Sequence, residues 1–334
     1  MISKLSWRWA ALVPAALGFV LAGQAVSAQL SYSSGQTVSP AYEGWEKDAA
    51  GNNYFVFGYM NRNWEEEVDV PVGPENTFEP GNPDVGQPTR FYPRRNRFVF
   101  RVPVPKDFGD KEMVWTLTTK GHTEKAYASM KTDYFIDDVV KASETGALGA
   151  GSSSPEIRGN KPPVVKVEGN KTLTAKVGQP LTIVTLVTDD GVPKRRGAGL
   201  SGAAVSRAAA RGANEAAPTT PPPPEAAARR NTAMLPPIRV TVGKNVGLHL
   251  SWLTYRAPAN APVTFDPIQI KAWEDTRAGA NSPWAPIWIP PDMPADGKVT
   301  VHATFSQPGT YVLRGVADDG ALTGYDEVTV TVTK

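Results

Sequence analysis

Two copies of an Asp-Asp-Gly turn are the clearest candidates for chemistry in this chain. One copy holds Asp189 and Asp190, and the other holds Asp318 and Asp319. If both turns emerge at the same end of one domain, four carboxylates crowd together there. A cation such as Ca²⁺, which accepts six to eight oxygen ligands, would neutralise them. The repeat therefore predicts a structural calcium site, although Asp-Gly is also ordinary turn chemistry and that alternative stays open.

The first half of the chain contains an acidic run and, later, a basic run. The acidic run comprises Glu65, Glu66, Glu67 and Asp69, and the basic run comprises Arg90, Arg94, Arg95, Arg97 and Arg101. A glycoside hydrolase needs two carboxylates facing each other across a cleft, so the acidic run could serve a carboxylate-based site. The alternative is charge matching between neighbouring strands or loops. No catalytic residue is assigned.

Three histidines and the absence of cysteine limit the other chemistry available. His249 and His302 fall on the outward registers of their predicted strands, and His122 lies at a turn. Thiol nucleophiles are excluded, and no His-x-x-x-His spacing, Gly-x-Ser-x-Gly elbow or phosphate-binding loop occurs. No cofactor beyond the calcium is expected.

Three tryptophans lie in a proline-rich segment, residues 262–296, that we expect to form an ordered flap. Trp273, Trp284 and Trp288 could offer aromatic faces to a sugar ring or a peptide, which makes them candidate ligand-binding residues. The alternative is that they cap the open edge of a hydrophobic core, since Trp is mostly buried on average.

The elements that position these residues are short β-strands. In the first half, strand-like runs cover residues 54–60, 97–102, 112–118 and 123–130. The last two meet across Lys120-Gly121 as a hairpin, and Met113, Trp115 and Leu117 alternate with polar neighbours, as in a half-buried strand. Residues 70–93 are rich in Pro, Gly and Asn and are predicted to form a long, ordered surface loop. We assign residues 29–137 to an N-terminal β-sandwich-like domain.

The second half has strand patterns of a more specific kind. Val177–Gly191, Leu248–Trp252, Pro308–Gly320 and Asp326–Val332 alternate with period two, place Trp252 in a core, and set Tyr311 where a tyrosine corner is expected. These segments resemble the strands of PKD and related immunoglobulin-like domains. The resemblance implies a β-sandwich over residues 164–334.

Two further segments of the chain are identified by their composition. Residues 194–235 are rich in Ala, Arg and Pro, have no apolar period, and are predicted to be a disordered insertion. Residues 138–163 are predicted to be a flexible linker.

The strand patterns of both halves make the expected fold class all-β, with two β-sandwich (immunoglobulin-like) domains. The N-terminal half, through residues 57–67, also resembles exported bacterial proteins of no known activity.

The N-terminus predicts export. Lys4 and Arg8 precede an apolar run that ends in small residues at Val26 and Ala28, which is typical of a cleaved signal peptide over residues 1–28. Cleavage lowers the 35 basic residues by two to 33, equal to the 33 acidic ones. A balanced chain does not attract nucleic acid. We expect a protein outside the cytoplasm, periplasmic or secreted, with no integral membrane segment after cleavage.

Two functions are compatible with these patterns. The preferred one is a non-enzymatic binding or structural module of the cell envelope, whose ligand is a glycan or an envelope protein. The alternative is an envelope hydrolase that uses carboxylates of the N-terminal domain.

Overall fold

The computed structural model of the chain describes residues 33–145, 154–194, 247–272 and 290–334. Within these ranges the chain forms two β-sandwiches in succession, which confirms the predicted all-β class. The predicted signal peptide (1–28) lies outside the described residues. So does the predicted disordered insertion (194–235), apart from Lys194.

The N-terminal sandwich is built around an aromatic core. Its strands are β1 (Val38–Lys47), β2 (Asn53–Asn61), β3 (Val68–Asp69), β4 (Asn76–Glu79), β5 (Arg90–Phe91), β6 (Arg94–Pro103), β7 (Met113–Thr119) and β8 (His122–Ala128). One antiparallel sheet has the order β1-β2-β6 and the other β4-β7-β8, while β3 and β5 form a short ladder. Between the sheets, Phe57, Phe78 and Trp115 pack with ring centroids 5.1–6.0 Å apart. The predicted alternation along β7 is confirmed.

One N-terminal segment differs from its prediction. The surface loop expected over residues 70–93 contains β4 and β5, and Asn76, Gln87 and Phe91 within it are fully buried. Asn76 accepts a hydrogen bond from the Trp115 indole at 2.9 Å and donates to the carbonyls of Val70 and Pro88. The segment is ordered because these buried polar side chains take the place of regular strand pairing.

The connector between the sandwiches contains two short helices, and residues 146–153 between them lie outside the described residues. A 3₁₀ turn (Thr132–Tyr134) is followed by helix α1 (Asp138–Thr145), and helix α2 is a single turn (Pro155–Arg158) capped by Ser154. Ala142 and Ile157 are buried against Ala321 and Leu322 of the second sandwich. The described parts of the linker are therefore packed against the second sandwich, because the helices have an apolar patch to cover.

The second sandwich is immunoglobulin-like. Its strands are β9 (Val164–Val167), β10 (Thr172–Lys176), β11 (Pro180–Thr188), β12 (His249–Arg256), β13 (Val263–Asp266), β14 (Lys298–Phe305), β15 (Gly309–Asp318) and β16 (Thr323–Thr333). One sheet has the order β13-β14-β11-β9 and the other β10-β16-β15-β12, with β10 and β16 parallel. Two facing sheets with this strand order define the immunoglobulin-like class. Strand β13 lies within the predicted flap (262–296), and residues 273–289 of that flap lie outside the described residues.

The core of the second sandwich follows the sequence pattern. Trp252, Tyr311 and Leu313 are fully buried, and the Tyr311 hydroxyl donates to the Gln307 carbonyl at 2.7 Å, which confirms the tyrosine corner. Gly315 lies opposite Trp252 in the β12–β15 ladder. A Cβ atom on Gly315 would come within 2.9 Å of the indole, so only glycine gives the ring its space.

Candidate functional site

The two Asp-Asp-Gly turns lie at the same end of the second sandwich. Asp189 and Asp319 line one cavity of about 510 Å³, together with Asp292 and Asp296 from the chain before β14. The turns meet there because β11 and β15 run in the same direction in the two facing sheets.

The second turn is buried, and its carboxylates bind backbone N–H groups. Asp319 accepts from the amides of Ala321 at 2.6 Å and Leu322 at 2.8 Å, and from the side chain of Asn160 at 3.0 Å. Asp318 accepts from the Gly320 amide at 2.7 Å. Burial raises the pKa of Asp319 to about 6, although these hydrogen bonds oppose the rise. Asp319 thereby fastens the connector, through Asn160, to the end of the sandwich.

The first turn makes the same kind of contact in a more exposed place. Asp189 accepts from the Gly191 amide, and Asp190 accepts from the amides of Val192 and Lys161. Within the described ranges, no three His, Asp or Glu side chains are grouped so that they could hold one metal ion. Calcium binding at Asp189, Asp190, Asp318 and Asp319 stays a prediction.

The acidic run of the N-terminal domain is engaged in ion pairs. Arg90 contacts Glu67 at 2.7 Å and Asp69 at 3.5 Å, and Lys120 contacts Glu66 at 2.7 Å. Burial raises the pKa of Asp69, and the Arg90 guanidinium opposes that rise. Within this segment only Val68–Asp69 pairs as a strand, β3. Glu66, Glu67 and Asp69 are therefore paired with cations of their own domain.

Most arginines of the basic run pair with carboxylates outside the acidic run. Arg95 contacts Glu43 at 2.7 Å, Arg97 contacts Glu144 of α1 at 2.8 Å, and Arg101 contacts Glu46 at 3.4 Å. The guanidinium of Arg94 stacks over the Trp64 ring at 4.0 Å. Arg90 thus pairs with the acidic run, whereas Arg95, Arg97 and Arg101 pair with other carboxylates.

The remaining predicted residues divide into three groups. Trp273, Trp284 and Trp288 lie outside the described residues, so the ligand platform stays a prediction. His122 is exposed, and the ring of His302 hydrogen-bonds the Thr182 hydroxyl at 3.0 Å. His249 lies on the outward face of β12, as expected, but only 2% of it is exposed. Its face of the sheet is covered by the N-terminal domain.

The contact between the two sandwiches is the most organised polar site in the described chain. Arg314 of β15 lies between the rings of Tyr255 at 3.5 Å and Tyr325 at 4.1 Å. Its guanidinium pairs with Glu327 at 2.6 Å and also donates to the Val99 carbonyl of the N-terminal domain. Arg314 is only 6% exposed, so it is a buried cation held by two rings, a carboxylate and a carbonyl.

Hydrogen bonds extend this contact along β12. The Tyr255 hydroxyl donates to the Gly86 carbonyl at 2.6 Å, and the Tyr92 hydroxyl accepts from the Thr254 amide at 2.9 Å. Arg256 bonds both carboxylate oxygens of Asp84, at 2.7 and 3.1 Å. Tyr255 also belongs to the hydrophobic core of the N-terminal sandwich. The two sandwiches therefore share buried side chains, which fixes their relative orientation.

This joint was not predicted from the sequence. Arg314 and Tyr255 point away from the core of their own sandwich, as outward residues should. One signal was present, namely that the outward face of β12 and β15 contains large aromatic and apolar side chains such as Leu253, Tyr255 and Val316. An apolar outward face indicates a covering partner.

Comparisons with known proteins give neighbours in structure alone. No protein-family model and no curated relative matches the sequence. The N-terminal eight immunoglobulin domains of Down Syndrome Cell Adhesion Molecule match 89% of this chain and 24% of theirs, at 9% identity and a TM-score of 0.22. Domains 1–6 of the surface layer protein SbsC match 89% of this chain and 28% of theirs, at 11% identity and a TM-score of 0.21.

A third neighbour is the Yersinia pseudotuberculosis adhesin InvE, with 7% identity, 88% of this chain and 58% of that chain covered, and a TM-score of 0.22. The chain spans about a quarter of the length of the first two neighbours. Superpositions at these scores carry no argument about function. None of the helices in the described ranges is long and apolar enough to cross a membrane. The chain is thus an immunoglobulin-like β-sandwich protein by its own strand order and register.

Proposed function

We propose that this chain is a non-enzymatic binding or structural module of the cell envelope, located outside the cytoplasm, whose second sandwich is of the PKD type. The observation that carries the proposal is the joint between the sandwiches. Domains in one chain move relative to each other unless their interface is large or strongly bonded. A joint built on Arg314 and Tyr255 makes two small domains into one rigid spacer, which suits a part that holds a set distance or presents a surface.

Export is supported by the amino-acid sequence. Residues 1–28 have the charged, apolar and small-residue regions of a cleaved signal peptide. The ligand we propose is a glycan or an envelope protein, and Trp273, Trp284 and Trp288 are the residues we propose for contact with it.

The hydrolase alternative has less support. Its candidate carboxylates, Glu67 and Asp69, both contact Arg90, and Asp69 also accepts a hydrogen bond from the Asn260 amide of the second sandwich at 3.1 Å. Because a guanidinium and a backbone amide hold these carboxylates, they stabilise the contact between the two sandwiches.

The test measures where the chain is located and whether it is retained on envelope material. A C-terminally tagged chain is expressed in its host, and mass spectrometry of the extracytoplasmic fraction should find a mature protein that begins at Gln29. The purified protein should then be retained on isolated envelope or on envelope polysaccharide. Changing Trp284 and Trp288 to Ala should remove retention and leave the melting temperature unchanged. A full-length chain confined to the cytoplasm would refute the proposal.

A further inference from the structure

The turn between β9 and β10 contains an Asn-x-Thr sequence. Asn170, Lys171 and Thr172 are the sole match to Asn-x-Ser/Thr, with x other than Pro, in the full sequence. This tripeptide is the acceptor sequence for N-linked glycans in exported proteins, where it has to lie in a surface loop. Because so short a sequence also occurs by chance, the geometry of the turn decides whether it can be used.

The structure presents this sequence at the surface of the second sandwich. Residues 168–172 are all exposed, and a Cβ atom placed on Gly169 would meet no atom within 4 Å. Gly169 has a φ of +84°, which lets the chain turn sharply from a strand of one sheet to a strand of the other. A glycan attached to the Asn170 side chain would therefore extend into solvent.

The Asn170 side chain is held through its oxygen, and its nitrogen is accessible. Oδ1 accepts from the Thr172 amide at 2.9 Å, which closes an Asx-turn. Within the described ranges, neither Nδ2 of Asn170 nor the Thr172 hydroxyl makes a hydrogen bond. The nitrogen that would carry the glycan and the hydroxyl that completes the acceptor sequence are thus both open to an enzyme.

The charged side chains of the turn pair with residues of the second sandwich. Lys171 contacts Asp326 at 2.6 Å, and Glu168 contacts Lys298 at 2.9 Å. The Glu168 side chain is 40% exposed, and exposed ion pairs of this kind are weak. Two residues before Asn170 there is therefore a carboxylate that a cationic group of a transferring enzyme can bind in place of Lys298.

We propose that Asn170 is the acceptor for an N-linked glycan. The co-reactant is an oligosaccharide joined through C1 of its first sugar to an isoprenoid diphosphate. Nδ2 attacks C1, a C–N bond forms and the C1–O bond breaks. The isoprenoid diphosphate leaves with the bonding electron pair, and Nδ2 gives up one proton to a base of the transferring enzyme. This transfer takes place outside the cytoplasm, so in the cell it rests on the proposed export.

Glycan transfer to the purified chain tests the site independently of export. The chain is incubated with a bacterial single-subunit oligosaccharyltransferase and its isoprenoid-diphosphate oligosaccharide, and its peptides are analysed by mass spectrometry. We expect glycan on the peptide that contains Asn170. Asn82 is the control within the same chain, because it is exposed and closes an Asx-turn with the Asp84 amide at 3.0 Å but lacks the Ser or Thr. It should stay unmodified.

Variants separate use of the acceptor sequence from general exposure. Asn170→Gln and Thr172→Ala should abolish transfer, Thr172→Ser should retain it, and Glu168→Gln should lower it at least tenfold, all with unchanged melting temperatures. Unmodified Asn170, or equal modification of Asn82, would overturn the proposal.

Mass spectrometry of the chain from its host separates this proposal from that of export. A chain recovered outside the cytoplasm should have glycan on Asn170. Recovery there with Asn170 unmodified would refute glycosylation and leave export standing. A chain confined to the cytoplasm would refute export, and transfer to the purified chain would then decide whether Asn170 is an acceptor.

Discussion

At the scale of single residues, the chain uses buried charge to fasten its parts together. Arg314 is enclosed by Tyr255, Tyr325 and Glu327, and it reaches the N-terminal domain through the Val99 carbonyl. Removing one member of a buried ion pair typically costs ~3–5 kcal/mol, because the other member stays buried without its partner. Such residues cannot be exchanged even for others of equal charge.

The first prediction concerns Arg314→Lys. Lysine keeps the charge but has neither the planar surface that stacks on Tyr255 and Tyr325 nor the fork that bonds Glu327 and Val99 together. We expect the free energy of unfolding, measured in urea, to fall by ~2–4 kcal/mol. Arg62→Lys is the matched control, since Arg62 makes an exposed pair with Glu124. Equal effects of the two changes would contradict the role given to Arg314.

The second prediction concerns Asp319 and pH. Burial raises the pKa of Asp319 to about 6 in the folded chain, above the ordinary value of ~3.9 in the unfolded one. The folded state therefore binds more protons between pH 4 and 6, so this carboxyl lowers the free energy of unfolding as pH rises through that window. In urea titrations at pH 4 to 7, Asp319→Asn should remove this decrease in the free energy of unfolding, which amounts to no more than ~3 kcal/mol.

Asparagine is the informative replacement because its amide resembles the protonated acid. It still accepts from the Ala321 and Leu322 amides, and its own N–H₂ can donate to the Asn160 Oδ1, which is buried without a partner. Asp319→Ala should instead destabilise the chain at every pH, because those amides lose their acceptor. An unchanged pH slope in Asp319→Asn would contradict the account.

At the scale of elements, the strands of both sandwiches follow from local alternation. Ile183, Thr185 and Val187 of β11 are buried and Thr182 and Thr188 exposed, as a period of two requires. The same reasoning placed His249 on an outward face but not under a covering domain, since alternation tells which way a side chain points but not what lies above that face. Short polar segments such as β4 also escaped prediction, because Asn76 is ordered by the tertiary contacts of its side chain.

The third prediction belongs to the β12–β15 ladder. Gly315→Ala places a methyl group within 2.9 Å of the Trp252 ring in a packed core, so we expect a loss of ~1–3 kcal/mol in the free energy of unfolding. Gly159→Ala is the control, since its nearest neighbours would lie at 3.7 Å. Adding Trp252→Phe to Gly315→Ala should cost less than the sum of the single changes. Strict additivity would mean that the two residues do not share this space.

At the scale of the whole molecule, the sequence predicted two sandwiches joined by a flexible linker. In the structure, a sheet face of the second sandwich contacts the N-terminal sandwich directly. The linker prediction rested on composition, which describes the chain between domains and not the surfaces they present. Arg314, Tyr255 and Arg256 come together with Asp84 and Val99 only when both domains are folded. The apolar outward face of β12 and β15 could have indicated that a partner covers it, but not which residues of the N-terminal domain do so.

The central claim is that this joint holds the two sandwiches in one orientation. Double electron–electron resonance, which measures the distance between two spin labels, tests it directly. The chain has no cysteine, so Lys111→Cys and Lys176→Cys, one exposed site on each sandwich, take spin labels cleanly. We predict one narrow distance distribution that broadens when Arg314→Ala is added. A distribution in the labelled parent chain as broad as that in the Arg314→Ala variant would contradict the account.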